Sequence, residues 1–256
     1  KEMITLKSKK EIAILKEGGQ ILAEVLRELE KLAKSGVSTG FLDQKAYELI
    51  LACGAEPAFK GYQPSFSNKP YPATLCASLN RVVVHGVPSS EIFLKDGDIF
   101  KLDLGVKYKN LFTDAAITVA IGEISEEKNK LIEATKKALE LATYEIKPGN
   151  HIGDIGFAIE RHIKSQGFTV VRDLVGHGVG YKVHEEPNIP NYGQKGEGPV
   201  LKSGMVLAIE PIVAMGSGEV RLLKDGFGYE TVDGSLSAHF EHTVAVTDEG
   251  HLILTK

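Results

Sequence analysis

Cysteine is scarce: Cys53 and Cys76 are the only two among 256 residues, and no CxxC spacing occurs. That argues against a disulfide framework and against a thiolate zinc knuckle. No apolar run approaches the roughly 18 residues of a membrane span, and no signal-peptide pattern opens the sequence. The chain starts at Lys1 rather than Met, so a few residues are expected to be missing or trimmed. An excess of positive charge is lacking too. The net charge of −4 argues against a general DNA binder or a membrane-surface protein, although the lysines leave room for a local basic patch toward RNA. The expected location is the cytoplasm.

Several catalytic signatures are also missing. Gly216-Ser217-Gly218 lacks the spacing of a GxSxG elbow. The stretch GHGVG at 176–180 is not GxGxxG, and no strand–GxGxxG–helix unit occurs. His184 opens HEEP, where Pro187 and the absent second histidine exclude a helical HExxH zinc site. Neither cysteine lies in a recognisable nucleophile context.

What is present repeats a plan. Ser8 with Glu11 forms a capping box that opens a helix to about Leu32, with a broad apolar stripe through Ile12, Leu15, Leu22 and Leu29. A second helix is predicted over Thr39–Ala52, ending at Gly54. A Pro-, Asn- and Ser-rich loop over 56–81 then leads into strands from Leu75 to Ile121. Ser125 opens another long helix to about Tyr144, and a shorter one runs from Gly153 to about Ser165, before Gly167. At an offset of 113 residues Lys34, Gly36, Gly40, Ile50 and Gly54 coincide with Lys147, Gly149, Gly153, Ile163 and Gly167. We read one structural unit over 1–256, with pseudo-repeats over about 8–122 and 123–256. The expected fold class is α+β: a curved antiparallel sheet with helices on one face and the site on the other.

Four carboxylates and a histidine lie in or beside apolar, strand-like runs: Asp103, Asp114, His177, Glu210 and Glu241. An ionised carboxylate there is costly unless paired, and no lysine or arginine alternates with Glu210 or Glu241. A hairpin centred between Tyr108 and Lys109 would set Asp103 directly opposite Asp114, Cβ atoms roughly 5 Å apart. At about 4 Å two like charges repel by ~4 kcal/mol at an effective dielectric near 20. A bridging cation would remove that repulsion; a longer turn with both residues solvated is the alternative. His177 is flanked by glycines that would let the backbone approach a ligand. His85 ends the apolar strand VVVHGVP. Singly, each residue is explicable as a bonded core or surface group. Jointly, one nitrogen and four carboxylates suit a pair of hard or borderline divalent ions such as Mn, Fe or Co.

The ordered segments NRVVVHGVP, DGDIFKLDLG, FTDAA, GHGVGYKVHEEP, SGMVLAIEP and SLSAHFEHT resemble the short, bacterial type I methionine aminopeptidases of peptidase family M24, which have the pita-bread fold. The likeness spans essentially the whole chain. It implies a cytoplasmic, monomeric enzyme that removes the initiator methionine from nascent proteins when the next residue is small, with ribosome association as a further expectation. It implies two divalent metal ions (Co, Mn, Fe or Zn) bridged by Asp114 and Glu241. Asp103 would complete one shell, and His177 with Glu210 the other. Glu210 would also relay a proton from the attacking water to the leaving amine. His85 would contact the scissile amide and His184 the substrate carbonyl. Tyr71, Cys76 and Phe227 would line the methionine pocket, Phe227 standing where tryptophan is common. A monovalent cation (Na or K) would map to Asn80, Val82 and Ser237. The sequence departs from the family at Asn68, Val183 and His239; these bear on pocket shape, with the metal site expected to be untouched. The alternatives are an Xaa-Pro aminopeptidase or prolidase of the same fold, which usually carries an extra N-terminal domain, and a non-catalytic binding module.

Overall fold

Side-chain caps set where the helices begin. The Ser8 amide donates to the Glu11 carboxylate at 2.7 Å, and the Glu11 amide returns a bond to Ser8 Oγ at 3.3 Å, which starts α1 (Lys9–Leu32). Ser38 Oγ accepts the Phe41 amide and starts α2 (Thr39–Ala52). Ser125 does the same for α3 (Glu126–Tyr144), and the Asp154 carboxylate holds the His151 amide at the head of α4 (Ile152–Ser165). All four helices lie where the periodicity puts them, α4 starting one residue early. Gly54 and Gly167 end α2 and α4 with φ of 70° and 83°, a conformation that excludes most side chains. The computed structural model describes residues 3–64 and 67–256. Part of the predicted 56–81 loop therefore lies outside the described residues.

The first group of strands is β1 (Glu56–Pro57), β2 (Leu75–Leu79), β3 (Val82–Val84), β4 (Ile99–Tyr108) and β5 (Leu111–Ala120). After α4 come β6 (Thr169–Val170), β7 (Val175–Gly178), β8 (Glu185–Pro190), β9 (Val206–Ile209) and β10 (Ile212–Ala214). The chain closes with β11 (Val220–Leu222), β12 (Tyr229–Thr231), β13 (Ser237–His239), β14 (His242–Thr247) and β15 (Gly250–Ile253). Strand β4 pairs with β1, β2 and β5, and a second sheet runs β15-β14-β9-β7-β8. Two small sheets, β13-β10-β6 and β11-β12-β3, join them, and the strand pairings are antiparallel.

Period-2 alternation sorts the side chains between two faces. Phe100, Leu102 and Leu104 of β4 pack with Leu22, Leu26, Leu42 and Ile50 of α1 and α2. Leu207, Ile209, Val244 and Val246 of β9 and β14 pack with Leu139, Ile155 and Ile159 of α3 and α4. Helices therefore cover one face, and Asp103 and Lys101 emerge on the other. Among the described residues no helix is long and apolar enough to cross a membrane.

The two larger sheets meet along a short seam. Ala116 of β5 and Glu241 exchange backbone hydrogen bonds, Glu241 N to Ala116 O at 2.9 Å and Ala116 N to Glu241 O at 3.4 Å. On one side Thr243 Oγ1 accepts the Asp114 amide at 2.8 Å and donates to the Asp114 carbonyl at 2.7 Å. On the other, Thr118 Oγ1 accepts the His239 amide at 2.9 Å and donates to the His239 carbonyl at 2.6 Å. Each hydroxyl satisfies a buried donor and a buried acceptor that the ladder leaves open.

The hairpin register corrects one expectation. Tyr108 pairs with Leu111, so the two-residue turn is Lys109-Asn110, both with positive φ (47° and 66°), as a type I′ turn requires. That centre lies one residue beyond the expected one. Asp103 therefore faces Ala116, Asp114 faces Gly105, and the two aspartates are diagonal neighbours on one face.

The seam makes a testable demand. Thr243→Val keeps the shape but leaves the Asp114 amide and carbonyl without partners. Unfolding in urea should show a loss of about 2–4 kcal/mol, whereas Thr243→Ser should remain within about 1 kcal/mol of the parent.

Candidate metal centre

Each predicted ligand reaches the site through its own backbone arrangement. Asp103 and Asp114 project from the β4–β5 hairpin. Glu241 stands beside Ala116, which itself faces Asp103, so the seam brings the third carboxylate to the pair. The β9–β14 register pairs Ile209 with His242, and one further step sets Glu210 beside Glu241. His177 faces Ala208 of β9, and on its β8 side the register shifts between Gly176 and Gly178. This irregularity turns the imidazole into the cavity.

The flanking glycines have a different reason from the expected one. A Cβ on Gly176 would lie 2.4 Å from the Ala208 carbonyl oxygen, and one on Gly178 would lie 2.3 Å from that of Glu186. The close approach is to neighbouring backbone rather than to a ligand. It lets β7 run between β8 and β9 with His177 at its centre.

All five residues line one open-mouthed cavity. His177 Nε2 is 3.5 Å from Glu210 Oε1 and 3.9 Å from Asp114 Oδ2. Its Nδ1 lies 2.9 Å from the Gly178 carbonyl, which fixes the proton on Nδ1 and leaves Nε2 as a lone-pair donor. Asp114, His177 and Glu241 each offer a ligand atom, all within 4.8 Å of one another. Asp103 Oδ1, Asp114 Oδ1 and Glu241 Oε1 are buried and accept no hydrogen bond. Burial pushes Asp103 up to about 7 and Glu210 up to about 8, and burial with mutual repulsion raises Asp114 and Glu241 well above the carboxylate range. Buried oxygen donors without partners, repelling one another beside a neutral imidazole, fit divalent cations.

The other half of the cavity is apolar. Tyr71, Cys76 and Phe227 line it as expected, with Tyr71 and Phe227 edge to face at 5.4 Å. Tyr71 Oη sits between the carbonyls of Leu75 and Gly86, so its hydroxyl is occupied by backbone. Phe59, Tyr62 and Pro64 also line the cavity; they sit in an irregular loop without periodicity, and sequence reasoning missed them. Val183 is buried in this cluster, whereas Asn68 is exposed and does not line the cavity.

His85 enters from the end of β3 with φ of 57°, a rare conformation for a non-glycine residue that turns the chain sharply at the cavity. His184 lies at the mouth, its ring 4.3 Å from that of His177 and its Nδ1 2.8 Å from Tyr62 Oη. Burial pushes His85 down to about 3, and partial desolvation beside His177 lowers His184 as well. Both are neutral near pH 7 and can offer an N–H without a charge. The chain beside His184 is tied down by Glu185, whose carboxylate meets Lys7 Nζ at 2.6 Å and the Lys182 amide at 3.0 Å.

Two neighbours change the expected picture. His239 was expected to leave the metal site untouched; instead its buried Nε2 lies 3.5 Å from Glu210 Oε2. β13 pairs with β10, which sets His239 opposite Ile212, two residues after Glu210, and the Thr118 bonds hold it there. Asn80, Val82 and Ser237 do come together, and Lys101 Nζ occupies their midst, 2.7 Å from the Asn80 carbonyl and 3.1 Å from that of Ser237.

Paired sheets backed by helices around a carboxylate-rich cavity define a metallopeptidase: the chain belongs to metallopeptidase family M24, matched over residues 13–248. Among its relatives, methionine aminopeptidase 1 of Bacillus subtilis is 45% identical over 254 residues, 99% of this chain and 100% of that protein. The crystal structure of methionine aminopeptidase from Thermotoga maritima superposes with a TM-score of 0.95 at 43% identity, covering 99% of this chain and 100% of that one. The prolidase from Pyrococcus furiosus gives a TM-score of 0.77 at 25% identity, covering 98% of this chain but 65% of the other. The α+β pita-bread fold and the family expected from the sequence are borne out.

The titrations give a signed prediction. The raised carboxylates favour the metal-free fold below their unfolded pKa near 4, and that contribution is lost as pH rises through 7 to 8. His85, His177, His184 and His239 are depressed to about 3 or 4, so their contribution is complete above about pH 6.5 and fades below it. Between about pH 6.5 and 8 the four carboxylates outweigh the one opposing group, the Lys101 amine, whose pKa burial pulls down. The Tm of metal-free protein should fall across that window. Adding Mn should reverse the fall and release protons, measurable by calorimetry in buffers of different ionisation enthalpy. A metal-free Tm that is flat or rising there would contradict the assignment.

Proposed function

We propose that this chain is a divalent-metal-dependent aminopeptidase that removes the N-terminal methionine from peptides whose second residue is small. The observation that carries this reading is the cavity itself, in which five metal-ligating groups adjoin an apolar pocket of Tyr71, Cys76, Phe227 and Phe59. An unbranched thioether side chain suits aromatic walls of this kind. Asp103, Asp114, His177, Glu210 and Glu241 would hold the divalent ions, with Asp114 and Glu241 as the ligands common to both. When bound there, divalent cations lower the pKa of a water and polarise a peptide carbonyl.

The chain's own residues do the rest. Glu210 would accept a proton from the attacking water and return it to the leaving nitrogen. His85 and His184 are neutral and can donate N–H bonds to the scissile amide and to the oxygen that gains charge. Tyr62 orients His184 through Nδ1, and the Lys7–Glu185 pair anchors the chain behind it. Nascent chains are the source of such N-termini, so a monomer in the cytoplasm, working beside the ribosome, completes the proposal. Residues 1–256 act as one catalytic unit built of two like halves, α2 and α4 standing 113 residues apart in register.

Chelation should abolish methionine release from a Met-Ala peptide, and Mn, Co or Fe should restore it. An Ala-Pro peptide should be cleaved far more slowly; the reverse preference would indicate a prolidase. Asp114→Asn should stay folded and lose activity. Glu210→Gln should lower kcat by about 100-fold or more with a smaller change in KM. Release that survives thorough metal stripping would end this reading.

A further inference from the structure

Lys101 lies at the centre of β4, two residues before Asp103, and is 1% exposed. Its Nζ has three oxygen partners: the Asn80 carbonyl at 2.7 Å, the Ser237 carbonyl at 3.1 Å and Ser237 Oγ at 3.2 Å. Ser237 Oγ in turn lies 3.1 Å from the Asn80 carbonyl and 3.5 Å from that of Val82. No described carboxylate pairs with the amine; burial alone acts on it and pulls its pKa well down. The oxygens oppose that pull. An ammonium has three N–H donors for three acceptors, and a neutral amine has two. A cage of backbone carbonyls is also what replaces the hydration shell of a potassium ion in a protein.

We propose that the Lys101 ammonium is a built-in substitute for a monovalent cation, so that this protein needs neither Na nor K to hold its active site. The Na or K ion implied by the resemblance at Asn80, Val82 and Ser237 does not fit, because a tethered cation already fills the carbonyl cage. The cage joins three pieces that carry site residues. Asp103 follows Lys101 on β4, the Asn80 turn leads through β3 to His85, and Ser237 opens β13, which ends at His239. Asn80 itself is held in that turn with φ of 52° by Asp98 and by the Ile99 amide. Lys101 is thus a positioning residue.

The test compares the full chain with Lys101→Asn and Lys101→Ala in KCl, NaCl and choline chloride at equal ionic strength. Thermal unfolding is the first readout and Met-Ala hydrolysis with Mn the second, which alone rests on the proposed function. The parent should give the same Tm and rate in all three salts. Each variant should lose about 5 °C or more in choline and recover most of it in KCl or NaCl, because a free ion refills the cage. A parent that gains stability from K or Na overturns the proposal. So do variants that are equally destabilised, or unfolded, in every salt. If no form hydrolyses Met-Ala, the functional reading fails while the Tm comparison still decides the role of Lys101.

Discussion

Four buried carboxylates in one cavity govern this molecule. Asp103, Asp114, Glu210 and Glu241 cannot all be ionised among apolar strands without a countercharge, and several of their oxygens accept no hydrogen bond. Without metal the protein relieves the conflict by holding protons. Divalent cations held there would displace those protons and turn the repulsion into coordination. The same arrangement that weakens the metal-free fold at neutral pH would favour multivalent ions.

Holding such groups together demands stiffness, and three devices supply it at the join of the sheets. The Ala116–Glu241 bridge fixes one contact, and two threonine hydroxyls close the polar gaps to either side. Lys101 ties the Asn80 turn and Ser237 to the strand that carries Asp103. On the β7 side, glycines at 176 and 178 remove the side chains that would hold three strands apart. Every ligand therefore sits on a strand, or one residue from the end of a strand, that is itself bonded on more than one side.

Helices were the most legible part of the chain. Ser8, Ser38 and Ser125 are local signals, and a cap acts on amides within three residues, so no distant contact is needed to locate it. The five residues proposed as ligands were legible as a set for a related reason: an ionisable group within an apolar run is anomalous wherever the strand goes. The hairpin register was off by one residue because Lys109 and Asn110 both adopt positive φ, a choice made by turn geometry rather than by the alternation. The departure at His239 was expected to leave the metal site untouched, because its approach to Glu210 is set by pairing with Thr118, 121 residues away. Phe59, Tyr62 and Pro64 carry no period at all.

By itself the sequence determined the helix ends, the alternation that separates the two faces, and the set of charged residues that stand out inside apolar strands. These depend on interactions within a few residues or on the chemistry of single side chains. The tertiary structure alone decided that Asp103 and Asp114 lie diagonally, that His239 rests on Glu210, and that an ammonium fills the carbonyl cage. Each of these joins segments far apart in the chain, and such distances are set by how the sheets meet, which no local pattern encodes.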